Sequence, residues 1–315
     1  MKKTGLFILW SAVFISVCIS TPCIALGQDE LEKFDLSIDS GYRMDELDWN
    51  QAGPGGSPNV LSELEWSDLE IYQVGAKAAV NMHNDAFRFG GTYRLSVNYG
   101  TITAGDNRDS DYAGDDRTLE FSRSLNDAGD GEVWDLSTAV GLILFPKNNR
   151  IRIYPLLGYS FHEQNLALTG GNQIIPPTGP FDNLDSTYDS EWKGFWTGID
   201  VEFFPTSIMT LFAGIEFHAA DYDAKANWNL RTDLQHPVSF TNESDDATGF
   251  IVDGGMQIKL SDAVLFNAGV EYKKFEAEEG THTKYFTDGT TSAVRLNEVN
   301  WESYSIMAGL TFRFQ

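Results

Sequence analysis

The last strand of the chain constrains its fold more than any other segment. Mostly small or polar residues alternate there with an apolar row, which is Tyr304, Ile306, Ala308, Leu310, Phe312 and Phe314. This period of two predicts a strand with one apolar face, and only Gln315 follows it. Bacterial outer-membrane barrels often end this way because their assembly machinery recognises a terminal amphipathic strand. The pattern therefore favours a membrane barrel over a soluble sandwich, whose edge strand is the alternative.

The N-terminus predicts export. Lys2 and Lys3 precede an apolar run over residues 5–20, which is too short to span a bilayer comfortably. Ala25 and Gly27 then stand at the −3 and −1 positions of a cleavage site. The sequence therefore predicts a signal peptide at residues 1–27, followed by a single domain at residues 28–315. Both cysteines of the chain would leave with that signal, so no disulfide or thiolate metal site is expected.

Charge and hydropathy limit the partners. The chain has 46 acidic and 22 basic residues, and a formal charge of −24 argues against binding to nucleic acid. No run of 18 apolar residues follows the predicted signal peptide, which excludes helical membrane spans from the sequence alone. A chain in the membrane must then close into a barrel, since open sheet edges cannot face lipid. The expected partners are outer-membrane lipid, lipopolysaccharide and the barrel assembly machinery, and a peptide or extracellular protein stays open.

About ten segments alternate with a period of two. They lie near residues 34–42, 61–80, 87–99, 134–144, 151–161, 195–203, 209–217, 250–260, 264–272 and 304–314. A change of parity between Trp66 and Leu69 indicates a bulge in the second segment.

The connections between these segments alternate in length. Short ones fall near residues 84–85, 146–150, 205–207 and 261–262, and long ones near 45–59, 104–131, 168–190, 223–246 and 276–297. This rhythm predicts an all-β fold, a ten-stranded antiparallel transmembrane β-barrel with short periplasmic turns and long extracellular loops. The predicted location is the outer membrane of a Gram-negative-type bacterium.

The second long loop is rich in carboxylates. It contains Asp106, Asp109, Asp111, Asp115, Asp116, Asp127, Asp130 and Glu132. Oxygen ligands of this kind suit a hard cation, but the ordered ligand pattern of a known calcium loop is missing. A solvated acidic loop is the alternative. No cofactor is predicted, although lipopolysaccharide or a divalent cation shared with lipid phosphates stays open.

Two stretches resemble the omptin family of outer-membrane proteases. The third segment leads into Asp109-Ser110-Asp111-Tyr112, and the second opens with Leu61-Ser62-Glu63-Leu64-Glu65-Trp66. The resemblance covers most of the mature chain in layout, but only short stretches in residues. It implies an extracellular groove in which an Asp-x-Asp pair and an Asp-x-His pair hold and activate a water molecule.

The resemblance assigns these roles only in part. Asp109 and Asp111 match the first pair, whereas the Asp-x-His position at the top of the seventh segment is occupied by Asp221 and Asp223. The nearest histidine is His218, about three residues or roughly 10 Å down the strand. Water needs a base with a pKa near 7, so four aspartates alone would lack one.

Three functions therefore stay open. The first is a non-catalytic outer-membrane barrel with a structural or interaction role through its acidic loops. The second is an endopeptidase that uses Asp109, Asp111, Asp221 and either Asp223 or His218. The third is a narrow pore, although lumen side chains such as Arg88, Arg94, Asp200, Glu202 and Glu216 are expected to form a network that plugs it.

Overall fold

A computed structural model describes residues 30–84, 89–145 and 150–314 of the chain. The predicted signal peptide lies outside these residues. Besides a short 3₁₀ helix at Pro54–Gly56, the described residues form β1 (Glu30–Gln51), β2 (Ser62–Asn84), β3 (Phe89–Gly114), β4 (Thr118–Asp127), β5 (Gly131–Leu144), β6 (Ile151–Ile175), β7 (Gly179–Pro180), β8 (Asp185–Phe203), β9 (Met209–Asn227), β10 (Phe240–Lys259), β11 (Val264–Ala277), β12 (Gly280–Tyr285) and β13 (Thr291–Phe314).

The strands close into an antiparallel ring with ten wall positions. The order around the ring is β1, β2, β3, β5, β6, β8, β9, β10, β11 and β13, and β13 pairs with β1 from Phe34↔Phe314 to Gln51↔Leu296. β4 pairs with the same neighbours as β5 and continues its wall position, and β12 does the same for β11. The predicted ten-stranded barrel and its amphipathic last strand are thus confirmed.

Connection lengths alternate as expected, but the long ones contain more strand than the sequence indicated. Residues 204–208 and 260–263 are short turns at one end of the barrel, and the predicted turn near 84–85 and most of the one at 146–150 lie outside the described residues. At the other end, β1, β3, β6 and β9 run deep into the segments predicted as loops. Their backbone groups pair with neighbouring strands, so the barrel wall continues well past the predicted strand ends.

An aromatic ring encircles the outside of the barrel, with one residue on each wall position. Its members are Tyr42, Tyr72, Tyr99, Trp134, Tyr159, Phe195, Phe217, Phe250, Tyr272 and Tyr304. Neighbours touch across strand pairs, as in Tyr99–Trp134 with ring centroids 4.6 Å apart and Tyr272–Tyr304 at 4.7 Å. Aromatic girdles mark the interface of a transmembrane barrel, so this ring divides the molecule into two zones.

We call the part on the short-turn side of the ring the membrane zone, and the part beyond it the distal extension. The distal extension comprises residues 43–71, 100–133, 160–194, 218–249 and 273–303. In the membrane zone the outer face is apolar and exposed, with Ile38, Val74, Val140, Leu157, Ile199 and Ile306 among its side chains. In the distal extension most large apolar side chains instead point inward, although Leu119, Phe121 and Leu125 of β4 are exposed.

β1 passes through both zones without any change of side-chain alternation. Its outward row begins with Phe34 and Ile38 and ends with Glu46 and Asp48, whereas its inward row begins with Asp35 and ends with Leu47 and Trp49. On β2 the register shifts opposite Asp45–Leu47, where Asp68 has a φ of 53°, so the predicted bulge is confirmed. No helix in the described part of the chain is long and apolar enough to cross a membrane.

Candidate functional site

Asp109 and Asp111 project inward near the long-loop end of β3. They pair in register with Leu64 and Ser62 of β2, whose side chains are buried inside the barrel. The Trp228 side chain hydrogen-bonds Asp109, and the Ser62 and Ser122 side chains hydrogen-bond Asp111. The structure thus brings this predicted pair together on the inner wall.

The environment of the pair perturbs its proton affinity. Burial, and after it the charge of the neighbouring Asp111 carboxylate, raise the pKa of Asp109 to about 7. Burial also raises the pKa of Asp111, while the positive charges of Lys284 and Arg231 oppose both shifts. Burial lowers the pKa of the Lys284 ammonium in turn. Two carboxylates and two cations therefore face one another across the mouth of the barrel.

Asp221 and Asp223 lie on the outer face of β9. Tyr222 and Ala224, which alternate with them, are buried inside the barrel. Asp223 accepts a hydrogen bond from Lys193 on the neighbouring β8 at 2.5 Å. The outward row of β9 continues from the membrane-facing Phe217 with unbroken alternation, and this was the sequence signal that places both aspartates outside.

His218 is buried in the lumen beside the aromatic ring. Its Nδ1 lies 3.1 Å from the Ser160 hydroxyl, and its Nε2 lies 3.1 Å from Oε2 of Glu216. Asp109 stands ten residues beyond the ring on β3, whereas His218 stands one residue beyond it on β9. The difference is about 30 Å of strand rise. The structure therefore does not bring the five predicted residues into one site.

A buried ionic layer crosses the barrel at the level of the ring, and sequence reasoning missed it. The Arg43 guanidinium donates to Asp45 at 2.5 Å and to Asp135 at 2.8 Å. Lys273 donates to the same Asp135 carboxylate at 2.9 Å, and Nδ1 of His162 lies 2.7 Å from its other oxygen. The sequence signal was available, because each of these residues follows the inward alternation of a strand.

An aromatic core fills the barrel above the ionic layer. Its large buried members are Trp49, Trp66, Tyr188, Trp192, Tyr222, Phe240, Phe275 and Trp301. Trp66 stacks on Tyr188 with centroids 5.0 Å apart, and Phe275 stacks on Trp301 at 5.1 Å. Such a core packs the distal extension as the interior of a soluble domain would be packed.

Arg94 and Asp200 were predicted to belong to a network in the lumen. They form an ion pair below the aromatic core, in the membrane zone.

The distal extension is acidic. This zone holds 33 of the 46 acidic residues of the chain against 11 basic ones, a formal charge of −22. Exposed examples on four different strands are Glu46, Asp189, Asp221 and Glu243. Within residues 30–84, 89–145 and 150–314, no group of three or more histidine, cysteine or acidic side chains is arranged to hold a metal ion.

Comparison with known proteins places the chain among outer-membrane barrels. Residues 37–314 match the model of the family described as "Pom: Protochlamydia outer membrane protein". The crystal structure of the outer membrane protease OmpT from Escherichia coli superposes with a TM-score of 0.71 at 12% identity, covering 90% of this chain and 97% of that one. The predicted resemblance to the omptin architecture is therefore confirmed at the level of the fold.

Other barrels are more distant. The outer membrane protein OprG from Pseudomonas aeruginosa matches with a TM-score of 0.35 at 12% identity, covering 91% of this chain and 97% of that one. The translocator domain of the autotransporter NalP from Neisseria meningitidis matches with a TM-score of 0.35 at 11% identity, covering 98% and 97%. No curated protein matches the sequence.

Proposed function

The chain belongs to the family of Protochlamydia outer membrane proteins. We propose that it is a non-catalytic outer-membrane barrel whose distal extension recognises a basic partner. The observation that carries the proposal is the formal charge of −22 on that extension. A field of one sign attracts an oppositely charged peptide or protein and accelerates its encounter. The partner class is a basic peptide or a basic surface of an extracellular protein.

The aromatic core supports this role because it holds the acidic surface in one shape. Ten wall positions continue past the ring, and Trp49, Trp66, Trp192 and Trp301 are each no more than 1% exposed. A rigid surface loses less conformational entropy on binding than flexible loops would lose. The acidic segments predicted as loops thus form an acidic outer surface, and the aromatic core holds it in a fixed shape.

An omptin-type endopeptidase is the alternative, and it would need a base beside Asp109 and Asp111. His282 is the histidine nearest in sequence to Lys284, which faces the pair. Its Nδ1 lies 2.6 Å from the Asn242 side-chain oxygen, and burial lowers its pKa to about 3. A base with such a pKa is poorly matched to the activation of water at neutral pH. This favours the non-catalytic proposal.

A narrow pore is a second candidate, and one observation favours it. The membrane zone encloses a polar chamber of about 300 Å³, lined by Arg94, Asp200 and other charged side chains. Conduction would require the ionic layer and the aromatic core above it to move aside. The pore hypothesis therefore predicts stepwise conductance, and it predicts that the conductance increases when a tryptophan of the aromatic core is replaced by alanine.

The test uses refolded protein with lipopolysaccharide, verified by heat-modifiable migration on a gel. Binding of nonalysine is titrated for the wild type and for a variant with Glu46→Gln, Asp189→Asn, Asp221→Asn and Glu243→Gln. The matched control conserves charge, with Glu46→Asp, Asp189→Glu, Asp221→Glu and Glu243→Asp. The proposal expects weaker binding only in the neutralised variant, with an affinity that falls as salt screens the field.

Two parallel assays separate the alternatives. Cleavage of dibasic fluorogenic peptides that disappears in an Asp109→Ala, Asp111→Ala double variant would replace the proposal with a protease. Stepwise conductance of the wild type in planar bilayers would replace it with a pore. Equal nonalysine binding by all three proteins would remove the role of the acidic surface.

A further inference from the structure

The polar chamber of the membrane zone has an excess of carboxylates. Among the described residues, three basic ones line it, Lys77, Arg94 and Lys273, against eight acidic ones: Asp35, Asp39, Asp135, Asp200, Glu202, Glu216, Asp253 and Glu271. Three arginines pair with carboxylates of this set, since Arg43 contacts Asp135, Arg152 contacts Glu202 and Arg313 contacts Asp35. Counting them, the eight carboxylates still outnumber the cations among the described residues.

The imbalance is localised. Asp39, Glu216 and Asp253 have no lysine or arginine within 4 Å in the described part of the chain. Asp39 is hydrogen-bonded by Asn267, and Glu216 faces His218. Carboxylates that face a low-dielectric interior are costly unless a cation or a hydrogen-bond donor compensates them. Lys77 acts on Asp253 and Glu271 from farther away, and the carboxylates of the chamber still leave room for further positive charge.

Two of the carboxylates converge above a glycine. Asp200 on β8 and Asp253 on β10 both pair in register with Gly214 on the strand between them. A Cβ atom at Gly214 would lie 2.6 Å from Oδ1 of Asp200 and 2.4 Å from Oδ1 of Asp253. The missing side chain lets the two anionic groups share one space, while Arg94 pairs with Asp200. A donor placed there would contact both.

The unpartnered polar atoms of the chamber wall are acceptors as well. His162 is 3% exposed, and the Asp135 carboxylate accepts from its Nδ1, so Nε2 carries a free lone pair. Within the part of the chain that the structure describes, this Nε2 has no hydrogen-bond partner, and neither has Oδ1 of Asn98, which also lines the chamber. His162 is itself bonded to the Asp135 carboxylate through Nδ1, and both acceptor atoms would be matched by a hydrogen-bond donor. The wall thus offers a ligand further acceptors, beside the donors Lys77, Arg94 and Lys273.

We propose that this chamber binds a donor-rich organic cation of the linear polyamine class. Its acceptors are spread from Asp35 near the short-turn end to Asp135 at the ring, whereas a metal ion needs oxygen ligands that converge within about 2.6 Å of one point. Each ammonium group offers three donors, and several such groups on one flexible chain match separated carboxylates. The ionic layer closes the side of the chamber that faces the distal extension.

The test titrates spermidine into full-length mature protein, refolded in detergent and verified by heat-modifiable migration. A salt concentration of about 0.3 M screens weak attraction to the acidic outer surface. The proposal expects one saturable site, weakened about tenfold or more by Asp253→Asn and by Glu216→Gln. Asp262→Asn is the matched control, because this exposed carboxylate lies in a short turn outside the chamber. If Asp253→Asn fails to fold, Glu216→Gln carries the test.

The outcomes separate this site from the acidic surface. Spermidine binding that survives the four outer-face neutralisations but weakens in the chamber variants supports the proposal, whatever nonalysine does. Absence of a saturable site, or loss of binding only in the outer-face variant, would overturn it. Displacement of spermidine by stoichiometric Mg²⁺ would also overturn it, since the ligand would then be a metal ion.

Discussion

The membrane zone and the distal extension are built from the same strands, yet their apolar side chains point in opposite directions. In the membrane zone Ile38 and Ile306 face outward, while charged groups such as Asp200 and Arg94 face the lumen. In the distal extension Trp49 and Trp301 face inward, while Glu46 and Asp221 face outward. Each face matches its surroundings, lipid in one zone and water in the other.

Strand alternation alone does not determine which face of a strand is apolar. β1 keeps its inward and outward rows throughout, but their chemistry is exchanged near Arg43, at the level of the aromatic ring. The ionic layer lies where the lumen changes from polar to apolar. Four substitutions, each with a matched comparison variant, test this difference between the two zones.

The largest expected effect is in the aromatic core. Trp301→Ala should lower the free energy of unfolding by about 3–5 kcal/mol, because it leaves a cavity among packed rings. Phe195→Ala should cost less than half as much, since this ring is 67% exposed on the outer face and lipid can fill the space. Urea unfolding of refolded protein in vesicles measures both. Equal losses would contradict a packed core in the extension.

The ionic layer should respond almost as strongly. Arg43→Met leaves the Asp45 and Asp135 carboxylates buried without this partner, which should cost about 3–5 kcal/mol. Arg108→Ala removes an exposed pair with Glu65 and should cost at most about 1 kcal/mol. The same unfolding assay applies. A small effect at Arg43 would mean that water reaches the layer.

The lipid face gives a matched pair on a single strand. Ile38→Lys should cost about 2–4 kcal/mol, because a lysine there would face hydrocarbon. Glu46→Lys lies on the same row of β1 beyond the ring and should change stability by no more than about 0.5 kcal/mol. Refolding yield into vesicles and urea midpoints report the difference. Similar losses of stability at both positions would mean that the membrane boundary does not lie between them on β1.

The smallest expected effect depends on pH. The pKa of Asp109 is raised from 3.8 to about 7 on folding, so its contribution to stability is complete below about pH 4 and is lost as pH rises through 7. Asp109→Asn should therefore stabilise the protein at pH 8, by about 1 kcal/mol because solvent still reaches the half-buried group, and not at pH 4. Asp109→Glu, which keeps the charge, should keep the pH trend. A pH-independent gain would point to hydrogen bonding instead.

Alternation with a period of two was enough to predict the barrel, its ten wall positions and the bulge between Trp66 and Leu69. It also placed Arg94, Asp200 and Glu216 toward the lumen. The depth of the strands beyond the ring was not predictable from local pattern, because alternating acids and aromatics resemble a polar loop until the neighbouring strands supply pairing.

The candidate site was predictable only in part. Asp109 and Asp111 were identified by their spacing after the third predicted strand, and they do lie together on the inner wall. Asp221 and Asp223 were assigned from a family pattern rather than from the alternation that begins at Phe217. The chamber above Gly214 depends on register across three strands, which no single segment encodes.

The most direct test of the exchange of faces is a cysteine scan along β1. Cys18 and Cys23 are the only native cysteines and lie in the predicted signal peptide, so single cysteines from 34 to 49 would be unique. Each is probed with a water-soluble maleimide and, as a fluorophore adduct, with a lipid-phase quencher. The structure predicts lipid quenching at Phe34→Cys and Ile38→Cys, maleimide reaction at Glu46→Cys, and neither at Trp49→Cys. Maleimide reaction at Trp49→Cys as fast as at Glu46→Cys would contradict the buried core and the exchange of faces.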